Sequence, residues 1–123
     1  MSKVRGIRGA TTVNTNTRPE VIQATQEMLS SIVDKNKLST DDIAAAIFTT
    51  TEDIDCEFPA YAARMMGWEY VALLDNTQMK VSNSLELCIR VLLLVNTDVP
   101  ANQLQNIYLH QAVNLRNKKI PGF

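Results

Sequence analysis

Ten residues, Cys88 to Thr97, set the terms for the rest of the chain. Cys88-Ile-Arg-Val-Leu-Leu-Leu-Val-Asn-Thr97 is rich in β-branched and aliphatic residues, contains neither Gly nor Pro, and stops at the turn-forming Asp98-Val-Pro100. Its length alone would allow a helix; the Val and Ile density and the Pro stop predict a strand. Ile89, Val91, Leu93 and Val95 alternate with Leu92 and Leu94, so burial on both faces is expected. Arg90 interrupts this run. A guanidinium does not shed its proton, so burying it is costly without an anion or polar partner. Two readings follow: a structural ion pair or strand end that reaches water, or an arginine that meets an anionic ligand in a pocket.

Composition narrows the alternatives. A chain of 123 residues, 46% hydrophobic and 20% charged, fits one ordinary globular domain with a small core, and disorder is not expected. A net charge of −1 without a basic stripe argues against a nucleic-acid partner. No apolar run approaches the roughly 18 residues of a membrane span. The start, Met-Ser-Lys-Val-Arg, is not an apolar signal segment. Cys56 and Cys88 have neither metal nor redox spacing, so reduced thiols in the cytoplasm are the expectation. With a single histidine, His110, there is little room for a metal site or a Ser-His triad.

In chain order, Lys3 to Thr12 predicts a first strand, punctuated by Gly6 and Gly9. Glycine weakens a strand but lets another backbone or a ligand approach closely. Arg5 and Arg8 differ by an odd offset, so they point to opposite faces and one of them can serve a site. Thr17-Arg-Pro-Glu20 has the form of a helix start: a Thr N-cap, Pro in the first turn and Glu three residues on. Val21, Ile22, Thr25, Met28, Leu29, Ile32 and Val33 then make one apolar stripe ending near Asn36, a core face without a cofactor signal. Ser39 to Asp42 caps a single turn, and Ile43 to Thr51 predicts another strand. The acidic run Glu52, Asp53, Asp55 and Glu57 lacks the glycine and the spacing of a calcium loop, so a solvated loop is expected.

Phe58 to Gly67 reads as a short helix opened by Pro59 and closed by Gly67, with Arg64 near one edge. Trp68 to Asn76 predicts a strand, Asn106 to Leu109 a short one, and Gln111 to Leu115 a last helical turn before a loose tail at residues 117–123. Strands separated by helices imply an α/β domain with a mixed sheet. The helices are too few to cover a sheet on both faces, and a trimer or other homo-oligomer packed through the bare face is the economical solution.

Together the strings Val4-Arg-Gly-Ile-Arg-Gly-Ala-Thr-Thr-Val13, Phe58-Pro-Ala60 with Arg64, Cys88-Ile-Arg90, Asn96-Thr-Asp-Val-Pro100, Tyr108-Leu and Leu115-Arg116 resemble the AroH-type, monofunctional chorismate mutases. Their order and spacing match over residues 3 to 116. The resemblance implies a chorismate-mutase-II-like single domain over residues 1–123 and a homotrimeric pseudo-α/β-barrel with active sites between subunits. It implies the Claisen rearrangement of chorismate to prephenate on the way to phenylalanine and tyrosine, a unimolecular reaction that uses no cofactor and no metal. By similarity Arg90 stabilises the ether oxygen and touches a carboxylate, Arg8 and Tyr108 bind carboxylate, and Arg64 and Arg116 stand near the mouth. Four of the chain's six arginines fall on these positions. Phe58, Ala60, Leu73 and Leu74 are implied as the apolar wall, with Asn76, Thr77 and Leu115 also on the substrate.

The sequence departs from the family pattern in places. Asp75 and Gln78 stand where the best-known members have Cys and Glu, so the carboxylate that meets the substrate hydroxyl is expected at Asp75, with Gln78 keeping an amide near Arg90. Tyr61 replaces a frequent Lys at the rim. The tail Asn117-Lys-Lys-Ile-Pro differs from the usual Pro-Asp after Leu-Arg. Two other readings remain: a catalytically silent trimer that binds anions through Arg8 and Arg90, and an imine deaminase of the RidA type. The second also uses an interfacial arginine but does not share the Ile-Arg-Gly-Ala-Thr-Thr and Phe-Pro-Ala strings.

Overall fold

A computed structural model describes residues 2–117, with side chains as far as residue 115. The chain runs β1 (Lys3–Thr12), α1 (Arg18–Asn36), β2 (Ile43–Thr50), α2 (Pro59–Met65), β3 (Ala72–Thr77), β4 (Cys88–Thr97), β5 (Ile107–Tyr108) and α3 (Val113–Asn117), with single 3-10 turns at Thr40–Asp42, Ala101–Gln103 and His110–Ala112. The strands make one mixed sheet in the order β3-β2-β4-β1-β5. The aliphatic run β4 lies at its centre, antiparallel to β1 from Lys3↔Thr97 to Thr12↔Cys88 and antiparallel to β2 on its other side. Edge strands β3 and β5 run parallel to β2 and β1.

Helix α1 covers one face of this sheet. Val21, Met28, Leu29 and Ile32 are fully buried against Ile7, Phe48, Ile89, Leu93 and Val95. The buried Thr25 hydroxyl is satisfied by donating to the Val21 carbonyl at 2.7 Å. The helix lies close because β1 has no side chain at Gly9: a Cβ there would stand 2.7 Å from Ile32 Cδ1 and 3.2 Å from Val91 Cγ1. Its end is fixed by Lys37 in the left-handed region (φ 53) and by the Leu38 N–H, which donates to the Val33 carbonyl at 3.0 Å. The Asn36 amide then ties that end to the approach of β5. It donates to the Gln105 carbonyl at 2.9 Å and accepts from the Gln105 N–H at 2.8 Å.

Three expectations need correction. Within the chain β4 is buried on one face only: Ile89, Val91, Leu93 and Val95 are covered, whereas Leu92 is 37% exposed and Leu94 and Arg90 are half-buried. The reason is that α1 and α2 pack against each other on the covered side, whereas among the described residues the other face meets no long helix and is reached at Ala10 by Ala112, Leu115 and Leu85. The third strand begins at Ala72 and not at Trp68, because the chain is still closing α2. Trp68 N–H donates to the Ala63 carbonyl at 3.2 Å, Gly67 takes φ 88, and the indole is buried in the core. At the start of α1, Thr17 has the extended backbone of an N-cap but makes no side-chain cap bond. Glu20 instead accepts from the Thr15 hydroxyl and from the Asn14 N–H, contacts that hold its carboxyl below the usual range.

Candidate active site

The register assembles the site before any side chain is considered. Ala10 pairs with Arg90 and with Tyr108, Thr49 pairs with Arg90, and Asn76 with Thr49. Asn76, Thr49, Arg90, Ala10 and Tyr108 therefore form one row across all five strands, and partners in register share a face. The row sits on the uncovered face. Arg8, two residues before Ala10 and paired with Leu92, shares that face, while Arg5, paired with Val95, does not. The odd offset between the two arginines thus separates them as expected. Arg5 Nε is buried on its own side with no hydrogen-bond partner among the described residues.

Around this row lies an open pocket of about 450 Å³ lined by Arg8, Arg90, Tyr108, Gln78, Leu115 and their neighbours. Ala10 matters by its size, since a larger residue opposite Arg90 would fill the space. Leu115 and Ala112 close over Ala10 with Tyr108 and Leu85 at the margin. Tyr108 is placed by short links: the Leu109 N–H donates to the Ala10 carbonyl at 2.9 Å, and Asn106 Oδ1 accepts from the Arg8 N–H at 2.8 Å. Gln78 enters straight from the end of β3, its N–H donating to the Thr50 carbonyl at 2.8 Å. Its amide oxygen is buried with no partner among the described residues, an acceptor that suits a donor arriving with a ligand. Beneath Arg90, burial pushes the Cys88 thiol pKa up, and the guanidinium, which hydrogen-bonds it, pulls the other way.

A second group of expected residues gathers elsewhere. Phe58, Asp75, Asn76 and Thr77 line a separate pocket of about 310 Å³ with Pro59 and Glu57. Asp75 pairs with Phe48, and Phe48 with Val91, so it belongs to the covered face and not to the face of Arg90. Its Oδ1 accepts from the Ala60 N–H at 3.1 Å in the first turn of α2. Burial raises the Asp75 pKa, and that hydrogen bond and the Arg64 charge only partly offset the rise. Ala60 is buried, Arg64 is exposed, and Phe58 is 65% exposed on the solvent side. Tyr61 lies under Arg18, whose Cζ is 5.1 Å from the ring centre and which also pairs with Glu57. Leu73 and Leu74, being adjacent on a strand, cannot form one wall: Leu73 packs on the core and Leu74 is 55% exposed.

The expected site residues thus fall into two sets that one chain does not bring together. Arg8, Gln78, Arg90, Tyr108 and Leu115 share one pocket, and Phe58 and Asp75 share the other, which Asn76 also lines although its register puts it in the row of Arg90. Thr77 borders both. The Arg116 side chain and the tail after Asn117 lie outside the described residues. Sequence reasoning missed Ala10, Thr49 and Met79 on the arginine pocket, and Asn106 behind Arg8. Only the pairing register could have revealed Thr49 and Ala10, since neither carries a chemical signature of its own.

Fold and pocket define a mixed α/β chain that concentrates arginine, tyrosine and amide groups on one sheet face. Residues 4–119 match the family described as chorismate mutase type I. The chain is 40% identical to chorismate mutase AroH of Bacillus subtilis (strain 168) over 114 residues, which are 92% of this chain and 90% of that protein. It is 46% identical to chorismate mutase AroH of Thermus thermophilus over 114 residues, 92% and 93% of the two chains. Among solved structures, a chorismate mutase from Clostridium thermocellum superposes with a TM-score of 0.87 at 47% identity, covering 89% of this chain and 97% of that one. The chain belongs to the type I chorismate mutase family. Type I is the family's description, where the expected fold carried a type II label.

Proposed function

We infer that the protein is an isomerase that rearranges chorismate to prephenate, with each active site formed between two subunits of a homotrimer. The observation that supports this most directly is the split of the site. The arginine pocket opens on an uncovered sheet face, and the residues that would complete it lie on the other side of the same chain. A second copy presenting its Phe58, Asp75 and Arg64 edge to the first copy's Arg8 and Arg90 would join the halves. Packing of that kind would also cover exposed Leu74 and Leu92.

The chemistry fits such a site. Chorismate carries two carboxylates, and its ether C–O bond breaks ahead of C–C bond formation, so negative charge grows on the ether oxygen. Arg90 meets that oxygen, and a fixed guanidinium interacts more strongly with the transition state than with the ground state. Arg8 and Tyr108 hold carboxylate, Gln78 lies beside Arg90, and Asp75 accepts from the substrate hydroxyl. Arg64 stands at the mouth, and the family resemblance assigns Arg116 there as well. Phe58, Ala60 and Leu74 hold the substrate in its compact, chair-like form. Bonds are exchanged within one molecule, so neither a redox partner nor a metal is called for. The whole chain acts as one catalytic domain in the cytoplasm, a setting that suits its free Cys56 and Cys88 thiols, on the route to phenylalanine and tyrosine. No helix among the described residues is long and apolar enough to cross a membrane.

The test is loss of chorismate absorbance with pure protein, identification of prephenate as product, and mass by light scattering. Trimers that turn chorismate over are expected. Trimers without turnover would make the protein a silent anion binder, and a monomer at micromolar concentration would remove the interfacial site.

A further inference from the structure

The acidic run after β2 has no part in the reaction above, yet one of its carboxylates holds the start of the strand that carries Arg90. Leu87, directly before β4, has φ 49, in the left-handed region that residues with a bulky side chain seldom adopt. Its N–H donates to both carboxylate oxygens of Asp53, at 3.0 and 3.2 Å. Asp53 also accepts from the Thr51 hydroxyl, and that hydroxyl oxygen in turn accepts from the Cys88 N–H at 3.0 Å. The remaining backbone groups are held as well. The Leu87 carbonyl accepts from the Val13 N–H at 3.0 Å, and the Cys88 carbonyl from the Thr51 N–H at 3.1 Å. A strained residue persists only where its surroundings over-determine it, and hydrogen bonds to a carboxylate are stronger than neutral ones.

We propose that Asp53 is a positioning residue for the mutase reaction. With Thr51 it locks Leu87 in the left-handed conformation, and so sets the direction from which β4 presents Arg90, two residues beyond Cys88 on the same face. The inference rests on the reading of the protein as a chorismate mutase. Asp53 does not line the arginine pocket, and its effect passes through the backbone of residues 87 and 88. The Lys80–Glu52 ion pair at 3.6 Å also ties the intervening loop but is exposed and adds little.

The experiment compares Asp53→Ala, Thr51→Val, Thr51→Ser and the double variant Asp53→Ala/Leu87→Gly. It measures kcat and KM for chorismate, melting temperature, and amide hydrogen exchange in the segment 84–92. Asp53→Ala is expected to lower kcat by about ten- to a hundredfold, the scale of a misplacement of about 1 Å, with a smaller change in KM. Exchange at Leu87 and Cys88 should quicken. Thr51→Val should act in the same sense, and Thr51→Ser, which keeps the hydroxyl, should recover most of that loss. Leu87→Gly should restore kcat to Asp53→Ala, because glycine takes the left-handed conformation without steric cost. Wild-type kcat with unchanged exchange in Asp53→Ala would overturn the proposal. So would a loss of kcat that follows melting temperature alone and is not recovered by Leu87→Gly. If the wild-type protein leaves chorismate intact, the functional reading fails, and exchange at Leu87 and Cys88 still shows whether Asp53 is the lock.

Discussion

On β4, Ile89, Val91, Leu93 and Val95 lie buried beneath the helices, while Arg90, Leu92 and Leu94, one residue away on the same backbone, face the uncovered side. The covered face is a closed jigsaw of aliphatic side chains in which Gly9 leaves room for Ile32. The uncovered face mixes arginine, threonine, tyrosine and leucine around an open pocket. The difference teaches that on this strand core and pocket are divided by the two-residue period. Substitutions at Ile89, Val91, Leu93 and Val95 should register in unfolding experiments, and those at Arg90 in turnover.

The largest effect is expected on the covered side. Phe48→Ala empties a fully buried position and should cost about 3–5 kcal/mol in a urea unfolding curve, a large share of the stability of a small domain. A small change there would mean that the covered face is not the main core. Nearly as large, but in turnover, is Arg90→Lys. An ammonium keeps the charge but loses the planar fork by which Arg90, in the proposed mechanism, would reach a carboxylate and the ether oxygen together. Loss of such a preorganised donor should cost about 3–4 kcal/mol, a few hundredfold in kcat, with melting temperature nearly unchanged. A folded Arg90→Lys protein with undiminished kcat would take Arg90 out of the mechanism.

The two strand glycines sharpen the contrast. Gly9→Ala drives a methyl into the helix-covered face, 2.7 Å from Ile32, and should destabilise by about 1–3 kcal/mol. Gly6→Ala meets only the tip of Leu92, at 3.3 Å on the open side, and should cost less in the same measurement. The reverse ranking would contradict the assignment of faces.

The smallest effect on stability belongs to Asp75, which the covered face half-buries. Its pKa is raised in the folded chain, so the protonated form is favoured there. The stability this gives is complete below the ordinary value of 3.8 and is lost as pH rises through the raised one. Asp75→Asn keeps an oxygen for the Ala60 N–H and no longer titrates. Its melting temperature relative to wild type should therefore rise slightly with pH above the ordinary aspartate range. A melting temperature of Asp75→Asn that instead falls relative to wild type over that range would mean that positive charge outweighs burial at Asp75.

Much of this was legible in the sequence. The β4 run, the Pro19 and Pro59 helix starts, the α1 stripe and the opposed Arg5 and Arg8 follow from local rules: side-chain period, fixed proline φ and capping. The family strings carried the functional reading, since their order along the chain is itself a sequence property. Where local reading went astray, a longer-range contact had intervened. Trp68 has strand propensity, but burial in the core and the closure of α2 hold its backbone out of the sheet. Thr17 has the cap position, but Glu20 turns to Thr15 and Asn14.

What the sequence determined by itself is therefore the set of elements and the chemical kinds of residue available, because both depend on neighbours a few positions apart. Only the tertiary structure decided which residues share a face and a pocket. Arg90 stands with Thr49 and Ala10, and Asp75 with Phe48, through pairings between strands distant in sequence. A shift of one residue in any of those registers would exchange the faces; the alternation on each strand rules such a slip out, but which strands pair, and where, is decided between segments far apart in the chain. The same is true of Asp53: an acidic loop residue by composition, it becomes the partner of Leu87 only when the end of β2 and the start of β4 lie side by side.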